Sequence, residues 1–266
     1  MNSQVRQLLE NSEYSKHLYD IDGVYIYLDP SWSKVLVNLS GGADSAMLIY
    51  LISKIITDNN LNIEVHVISH VRMWATRPWN KHTSLQVLSH VKSLFPNIKY
   101  TRHEHFIPPD LEYGAIGHSI KDKYGRLKSG DNIIARSFTE YIVAMNDIDA
   151  AYSGVTMNPP GLVTNDIVVE RNSESLDPTD IRELLIYVDI GKGATSISPF
   201  KFTAKDWIIK QYVNNQQLDL LALTRSCEGP IDGLTYRNYT PGQYLTVCGE
   251  CFWCIERQWA LKENQL

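Results

Sequence analysis

Six residues, Ser40-Gly41-Gly42-Ala43-Asp44-Ser45, constrain this chain more than any others. They follow Lys34-Val35-Leu36-Val37-Asn38-Leu39, a short apolar run rich in β-branched residues that reads as a buried strand. They run directly into Ala46-Met47-Leu48-Ile49-Tyr50-Leu51-Ile52, which reads as a helix. A strand, a glycine turn and a helix in that order make a cradle for an anion. Two residues without Cβ let backbone N–H groups close around phosphate oxygens, and the helix aims its positive end at them. Ser40 and Ser45 add hydroxyl donors. Asp44 carries the wrong charge for a phosphate, which assigns it a helix-cap or Mg²⁺-linked role.

The loop also lacks something. A Walker A loop needs Lys followed by Ser or Thr at the helix start, and neither is present. The pattern Ser-Gly-Gly-x-Asp-Ser instead resembles the PP-loop of the ATP pyrophosphatases. That resemblance implies a loop holding the β- and γ-phosphates as a pyrophosphate leaving group while AMP is transferred.

The 266 residues suffice for one large α/β domain or for a domain with a small appendage. An apolar content of 44% with 21% charged residues can bury a substantial core, and no apolar run reaches membrane-spanning length. The polar start Met1-Asn2-Ser3-Gln4-Val5-Arg6 lacks a signal-peptide core, so the expected location is cytoplasmic. A net charge of -5 argues against a nucleic-acid backbone as the main partner and favours a small-molecule substrate.

All four cysteines fall near the C-terminus. Cys248, Cys251 and Cys254 put three thiolates within reach of one tetrahedral ion, and Cys227 supplies the fourth from a separate segment. A four-cysteine set with no open position reads as structural zinc. An iron–sulfur cluster also accepts four thiolates. A thioredoxin-like redox pair would leave two cysteines unexplained.

Strand and helix patterns alternate along the chain. A short helix is predicted over Val5–Leu9, strands over Val24–Leu28, Ile63–Ser69, Tyr100–His105 and Ala150–Ser153, and helices over His82–Phe95 and Asn132–Met145. Further helices are predicted within Ser175–Val188, capped by Asp177, and over Ala204–Asn214. Pro108–Asp131 and Leu162–Pro178 read as long loops, the first a candidate lid. This order implies right-handed βαβ units, a doubly wound parallel sheet, and ligands beyond the C-terminal strand ends. Gly154 is suited to close backbone approach to a ligand, or to a simple turn. His103 and His105 are spaced as same-face strand residues, which could suit a metal, but without a third ligand at diagnostic spacing they and His66 read as surface or core packing. Arg72, Arg77 and Lys81, interleaved with Trp74 and Trp79, suit either base stacking or a solvated loop.

Taken together, the two ends of the chain resemble the 7-cyano-7-deazaguanine synthase family, nitrile-forming PP-loop enzymes of the queuosine pathway. The residues that carry this are Ser40–Ser45, Thr224-Arg225-Ser226-Cys227-Glu228-Gly229, Cys248–Arg257, and the segment Pro199–Ile208 containing Lys205. The resemblance runs from Val35 onward. It implies an adenine nucleotide alpha hydrolase-like α/β fold with a small C-terminal zinc-binding subdomain, divided as an N-terminal extension (1–33), a PP-loop ATP-binding domain (34–198) and a helical, four-cysteine region (199–266). It implies ATP, Mg²⁺ and Zn²⁺ as cofactors, 7-carboxy-7-deazaguanine and ammonia as substrates, and a homodimer. Nucleotide contacts then fall to Leu39, Ser40, Gly41, Gly42, Ala43, Asp44, Ser45 and Ala46, catalysis to Asp44, Ser45 and Lys205, and zinc to Cys227, Cys248, Cys251 and Cys254. Lys205 is the candidate for neutralising phosphate charge.

Three stretches depart from the family pattern. Ser69-His70-Val71-Arg72-Met73-Trp74 stands where the family has Asp-Tyr-Gly-Gln-Arg-His. Ser129-Gly130-Asp131-Asn132 replaces Pro-Gly-Arg-Asn, and the segment after Gly154-Val155 lacks Tyr-Pro-Asp-Cys-Arg. A different acid, or a reaction that stops at the amide, is therefore the alternative, as is a non-catalytic nucleotide-binding subunit.

Overall fold

The apolar run before the glycine turn forms the middle of a sheet. In the computed structural model, which describes residues 16–72, 79–107, 130–159, 188–189, 194–228 and 246–266, β3 (Lys34–Asn38) lies between β4 (Glu64–Arg72) and β6 (Ala150–Tyr152). The full order is β5-β4-β3-β6-β8-β7, with β5 Tyr100–Ile107, β7 Val188–Asp189 and β8 Thr195–Ile197. The first five strands in that order are parallel, and β7 runs antiparallel to β8.

Alternation along the strands explains why both sheet faces are covered. Val35 and Val37 of β3, with Val65 and Val67 of β4, face a large core shared with α1 (Ala43–Asp58). Leu36 and Ile68 point the other way, into a smaller core with Ile142 and Val143 of α3 (Gly130–Asn146). A strand buried on both faces needs an uninterrupted apolar run, which β3 has. Helix α1 is buried around most of its circumference, from Ala43 through Ile56. Around it pack α2 (Asn80–Leu94), α4 (Lys205–Asn214) and α5 (Leu218–Ala222), while α6 (Phe252–Glu263) rests on α4.

The segment preceding β3 forms a hairpin, β1 (Leu18–Ile21) and β2 (Val24–Tyr27), turned at Asp22 and Gly23 with φ of 50° and 82°. That pair of left-handed residues is what a two-residue hairpin loop demands. All of β2 is buried in the large core, and the Tyr152 hydroxyl donates a buried 2.6 Å bond to the Tyr27 carbonyl.

The predicted helices over 82–95, 132–145 and 204–214 and the strands over 63–69, 100–105 and 150–153 recur within a few residues of their expected bounds. The predicted helix over 5–9 and the loop over 162–178 lie outside the described residues, as does the loop over 108–131 up to the start of α3. The helix predicted within 175–188 also lies outside them, except that Val188 belongs to strand β7. Among the described residues no helix is long and apolar enough to cross a membrane.

Tyr152→Phe removes a buried hydrogen bond between sheet and hairpin. It should lower unfolding free energy by about 1–3 kcal/mol, read from urea denaturation; an unchanged midpoint would show that the hairpin docks by apolar contact alone.

Candidate active site

The chain leaves β3, passes to β4 and β5 on one side, and returns to β6 on the other. That reversal opens a crevice beyond the C-terminal ends of β3 and β6, the usual ligand position in open α/β sheets. A cavity of about 520 Å³ occupies it. Ser40, Gly42, Asp44 and Ser45 form one wall, Ser153 to Thr156 a second, and Arg136, Thr139 and Glu140 of α3 a third. His70 and Arg72 enter from the end of β4, and Glu228 and Trp253 from beside the cysteines.

The loop is braced from inside. The Ser45 hydroxyl donates to the Gly42 carbonyl at 3.1 Å and accepts from Ser40 N–H at 3.2 Å. Helix α1 begins at Gly42, which has extended backbone and no side-chain cap. Asp44 is therefore not the cap that its residue type suggested; it sits in the first helical turn. N–H groups of that turn have no intrahelical acceptor, so they are available to an anion.

Gly41 has φ of 81°, and a Cβ there would lie 2.1 Å from Thr83 Oγ1 of α2. The turn thus needs glycine twice over, for conformation and for space. Gly154 makes a different close approach from the expected one. Its Cα faces the first turn of α1, where a Cβ would stand 3.0 Å from the Asp44 carbonyl carbon and the Ser45 nitrogen.

Behind the loop the charges are paired. Lys205 is the first residue of α4 and is almost wholly buried. Its Nζ donates to Asp44 Oδ2 at 2.7 Å and lies 3.0 Å from Glu256 Oε2 on α6. Burial disfavours the ammonium, but the two carboxylates more than offset this and raise its pKa above the ordinary lysine value. Lys205 does not line the cavity; it reaches it through Asp44. The remaining carboxylate oxygen, Asp44 Oδ1, is buried without a hydrogen-bond partner. A buried carboxylate oxygen without a donor suits a divalent cation. The Tyr212 hydroxyl fixes the same turn by donating to the Ala43 carbonyl at 2.7 Å.

The four cysteine sulfurs lie within 4.8 Å of one another. Cys227 and Cys248 are 3.5 Å apart and Cys248 and Cys254 3.9 Å apart. One tetrahedral zinc with bonds near 2.3 Å separates its sulfurs by about 3.8 Å. The set therefore fits a single ion, whereas a cluster of several irons and sulfides would hold its thiolates farther apart. Backbone N–H groups of Cys248 and Cys251 point at Cys227 Sγ and Cys248 Sγ, at 3.3 and 3.4 Å, and Gly249 supplies the left-handed turn between them. Such donors stabilise thiolates.

This lobe grips the loop. Arg225 N–H donates to the Gly41 carbonyl at 2.9 Å. Its guanidinium bonds the carbonyls of Cys227 and Thr246 and stacks 3.4 Å from the ring centre of Trp79. Burial lowers the Arg225 pKa to about 10, against the opposing pull of the cysteine sulfurs. Trp79 is thus committed to the protein's own arginine. Lys81 pairs with Glu104 at 3.8 Å, and Arg77 and Trp74 lie outside the described residues. Arg225, Glu256 and Tyr212 are site residues that spacing alone did not single out. The signal for the first two was their position beside Cys227 and Cys254.

Four histidines pair across β4 and β5. His66 Nδ1 is 2.9 Å from His103 Nε2, and His70 Nδ1 is 3.2 Å from His105 Nδ1. Thr139 donates its hydroxyl proton to the Ala135 carbonyl, so it accepts from His70 Nε2 at 3.1 Å. His70 then carries its proton on Nε2 and accepts from His105. Burial, with His105 and Arg72 nearby, lowers the His70 pKa to about 3, so the ring is neutral.

No protein-family model matches the chain, and no curated protein does. Among solved structures it is similar to the U34-tRNA thiolase NcsA from Methanococcus maripaludis with its [4Fe-4S] cluster, at 13% identity over 99% of this chain and 78% of that one, with a TM-score of 0.46. An NMN synthetase from Francisella tularensis gives 15% identity, 98% and 92% coverage and a TM-score of 0.43. An NAD+ synthetase from Burkholderia pseudomallei gives 12%, 88% and 80%, and 0.35. At these values the likenesses carry no weight for chemistry.

The purified protein should hold one zinc per chain by elemental analysis, and Cys251→Ser should lose it together with most of its cooperative unfolding; a folded, zinc-replete variant would contradict the assignment. The unfolded chain takes up a proton on His70 near pH 6.5 that the fold refuses until about pH 3, so folding stability falls as pH drops through that window. His70→Gln should flatten the slope by up to one proton, about 1.4 kcal/mol per pH unit, in urea titrations across the same range.

Proposed function

We propose that the chain is an ATP-dependent carbon–nitrogen ligase that activates a carboxylic acid by adenylation and passes it to ammonia. The observation supporting this is the Ser40–Ser45 loop at the wall of the 520 Å³ cavity, with the unpartnered Asp44 Oδ1 beside it. A cavity of this size accepts an acid of nucleobase dimensions next to a triphosphate's reacting end. The acid is proposed to be 7-carboxy-7-deazaguanine, following the sequence resemblance at both ends of the chain.

In this reading the substrate carboxylate oxygen attacks the α-phosphorus, and the bond to the β-phosphate's bridging oxygen breaks. The N–H groups of the glycine turn and the first turn of α1 take up the negative charge of departing pyrophosphate. Asp44 would hold a Mg²⁺, which supplies charge neutralisation at the phosphates when bound. The walls from Ser153–Thr156 and Trp253 exclude water from the acyl adenylate. Ammonia adds to the acyl carbon, AMP leaves, and the amide results. Adenylation of the amide oxygen followed by loss of AMP and two protons yields the nitrile. The zinc has no part in the chemistry, because its four thiolates leave no open position. The protein acts without direct contact to nucleic acid and assembles as a homodimer.

A second reading ends at the amide. It is favoured by His70 and Arg72 lining the cavity where the family pattern has other residues.

With MgATP, ammonium and 7-carboxy-7-deazaguanine, the protein should release pyrophosphate and AMP, and the product mass separates nitrile from amide. Asp44→Ala should slow release by roughly 10²-fold or more. Absence of pyrophosphate with every deazaguanine acid would overturn the substrate assignment, and ADP as product would overturn adenylation.

A further inference from the structure

Arg225 fastens three parts of the molecule to one another. Its Nη1 donates to the Cys227 carbonyl at 3.0 Å, and its Nε donates to the Thr246 carbonyl, two residues before Cys248, at 2.8 Å. One side chain thereby ties together the two segments whose cysteines converge. The flat face of the same guanidinium lies 3.4 Å from the ring centre of Trp79. Trp79 leads into α2, where its carbonyl accepts from Thr83 Oγ1 at 3.2 Å, and Thr83 is the residue against which Gly41 packs. The backbone of Arg225 completes the circuit, its N–H donating to the Gly41 carbonyl at 2.9 Å.

Peptide geometry turns that last bond into a direction. The Gly41 carbonyl and the Gly42 N–H share one trans peptide, so holding the first toward Arg225 sends the second the opposite way. There it approaches Ser40 Oγ at 3.3 Å, and both Ser40 and Gly42 line the cavity. Residues 225 and 226 also cover Gly42, where a Cβ would stand 3.7 Å from the Arg225 carbonyl oxygen and 3.8 Å from Ser226 Oγ.

We propose that Arg225 is a positioning residue that makes metal binding at the four cysteines and anion binding at the glycine turn cooperative. The proposal rests on the nucleotide reading of the turn and the zinc reading of the cysteines. An ion shared by Cys227 and Cys248 fixes the Cys227 and Thr246 carbonyls at the span that the guanidinium bridges. That in turn fixes the Arg225 N–H against the Gly41 carbonyl and aims the Gly42 N–H at the cavity. Linkage makes the effect reciprocal: whatever the metal adds to anion affinity, the anion adds to metal affinity.

The test uses the full-length, zinc-loaded protein and measures zinc transfer to a chromophoric chelator, with and without the uncleavable probe α,β-methylene ATP and Mg²⁺. Probe binding is measured separately by calorimetry, so that every protein is compared at the same saturation. In the unaltered protein the probe should slow zinc release about ten-fold. Arg225→Met keeps the backbone N–H and all four thiolates but removes the bridge; there the slowing should fall below about two-fold. Where Arg225→Met does not fold, Arg225→Lys takes its place with the same expectation, because an ammonium lacks the planar fork that spans both carbonyls. A probe that merely stabilised the whole fold would slow release equally in the variant, and that result overturns the proposal. So does unslowed release from unaltered protein that binds the probe, an outcome that leaves the nucleotide reading intact. If the unaltered protein does not bind the probe, or holds no zinc, the corresponding reading fails and takes this proposal with it.

Discussion

The bond from Arg225 N–H to the Gly41 carbonyl joins the two halves of the molecule at the residue that can least afford to move. Gly41 is held in a left-handed conformation with Thr83 against the face where a side chain would be. Its carbonyl can turn only by breaking the Arg225 bond or pushing α2 away. The guanidinium of Arg225 is fixed in turn by Trp79 on one side and by the Cys227 and Thr246 carbonyls on the other. Cysteine lobe, helix α2 and the glycine turn thus form one rigid joint. Preorganised donors of this sort stabilise charge without reorganising when it develops.

Much of this was legible in the sequence, for physical reasons that differ by element. β3 has to be an unbroken apolar run because both its faces are covered, and a glycine pair between such a run and a helix leaves few alternatives. The cysteines were legible because thiolates converging on one ion leave a spacing signature. By contrast, the burial of Lys205 was hidden. A lysine at a helix start ordinarily snorkels to solvent, and only the arrival of Asp44 and Glu256 from helices 161 positions before and 51 after it makes burial tolerable. Gly154 was recognised as a point of close approach, but its neighbour is the first turn of α1.

The histidines illustrate the same limit. His66 and His70 lie on β4, His103 and His105 on β5, and their pairing depends on a strand register that brings Ile68 opposite His103 and His70 opposite His105. Spacing along one strand shows which residues share a face but not what faces them. Across the pair, a threonine one turn along α3 settles which nitrogen carries the proton on His70. The ring is consequently a fixed polar strut between sheet and helix at neutral pH.

The walls of the cavity come from widely separated parts of the chain. One end is built by residues 40–45 and backed by helix packing, while Glu228 and Trp253 project from the segments that carry the cysteines. Those two side chains stand beside the four-cysteine cluster rather than on the sheet. Substitutions there can reshape one end of the cavity while the glycine turn at the other end keeps its geometry, so what the cavity accepts can change without disturbing the turn.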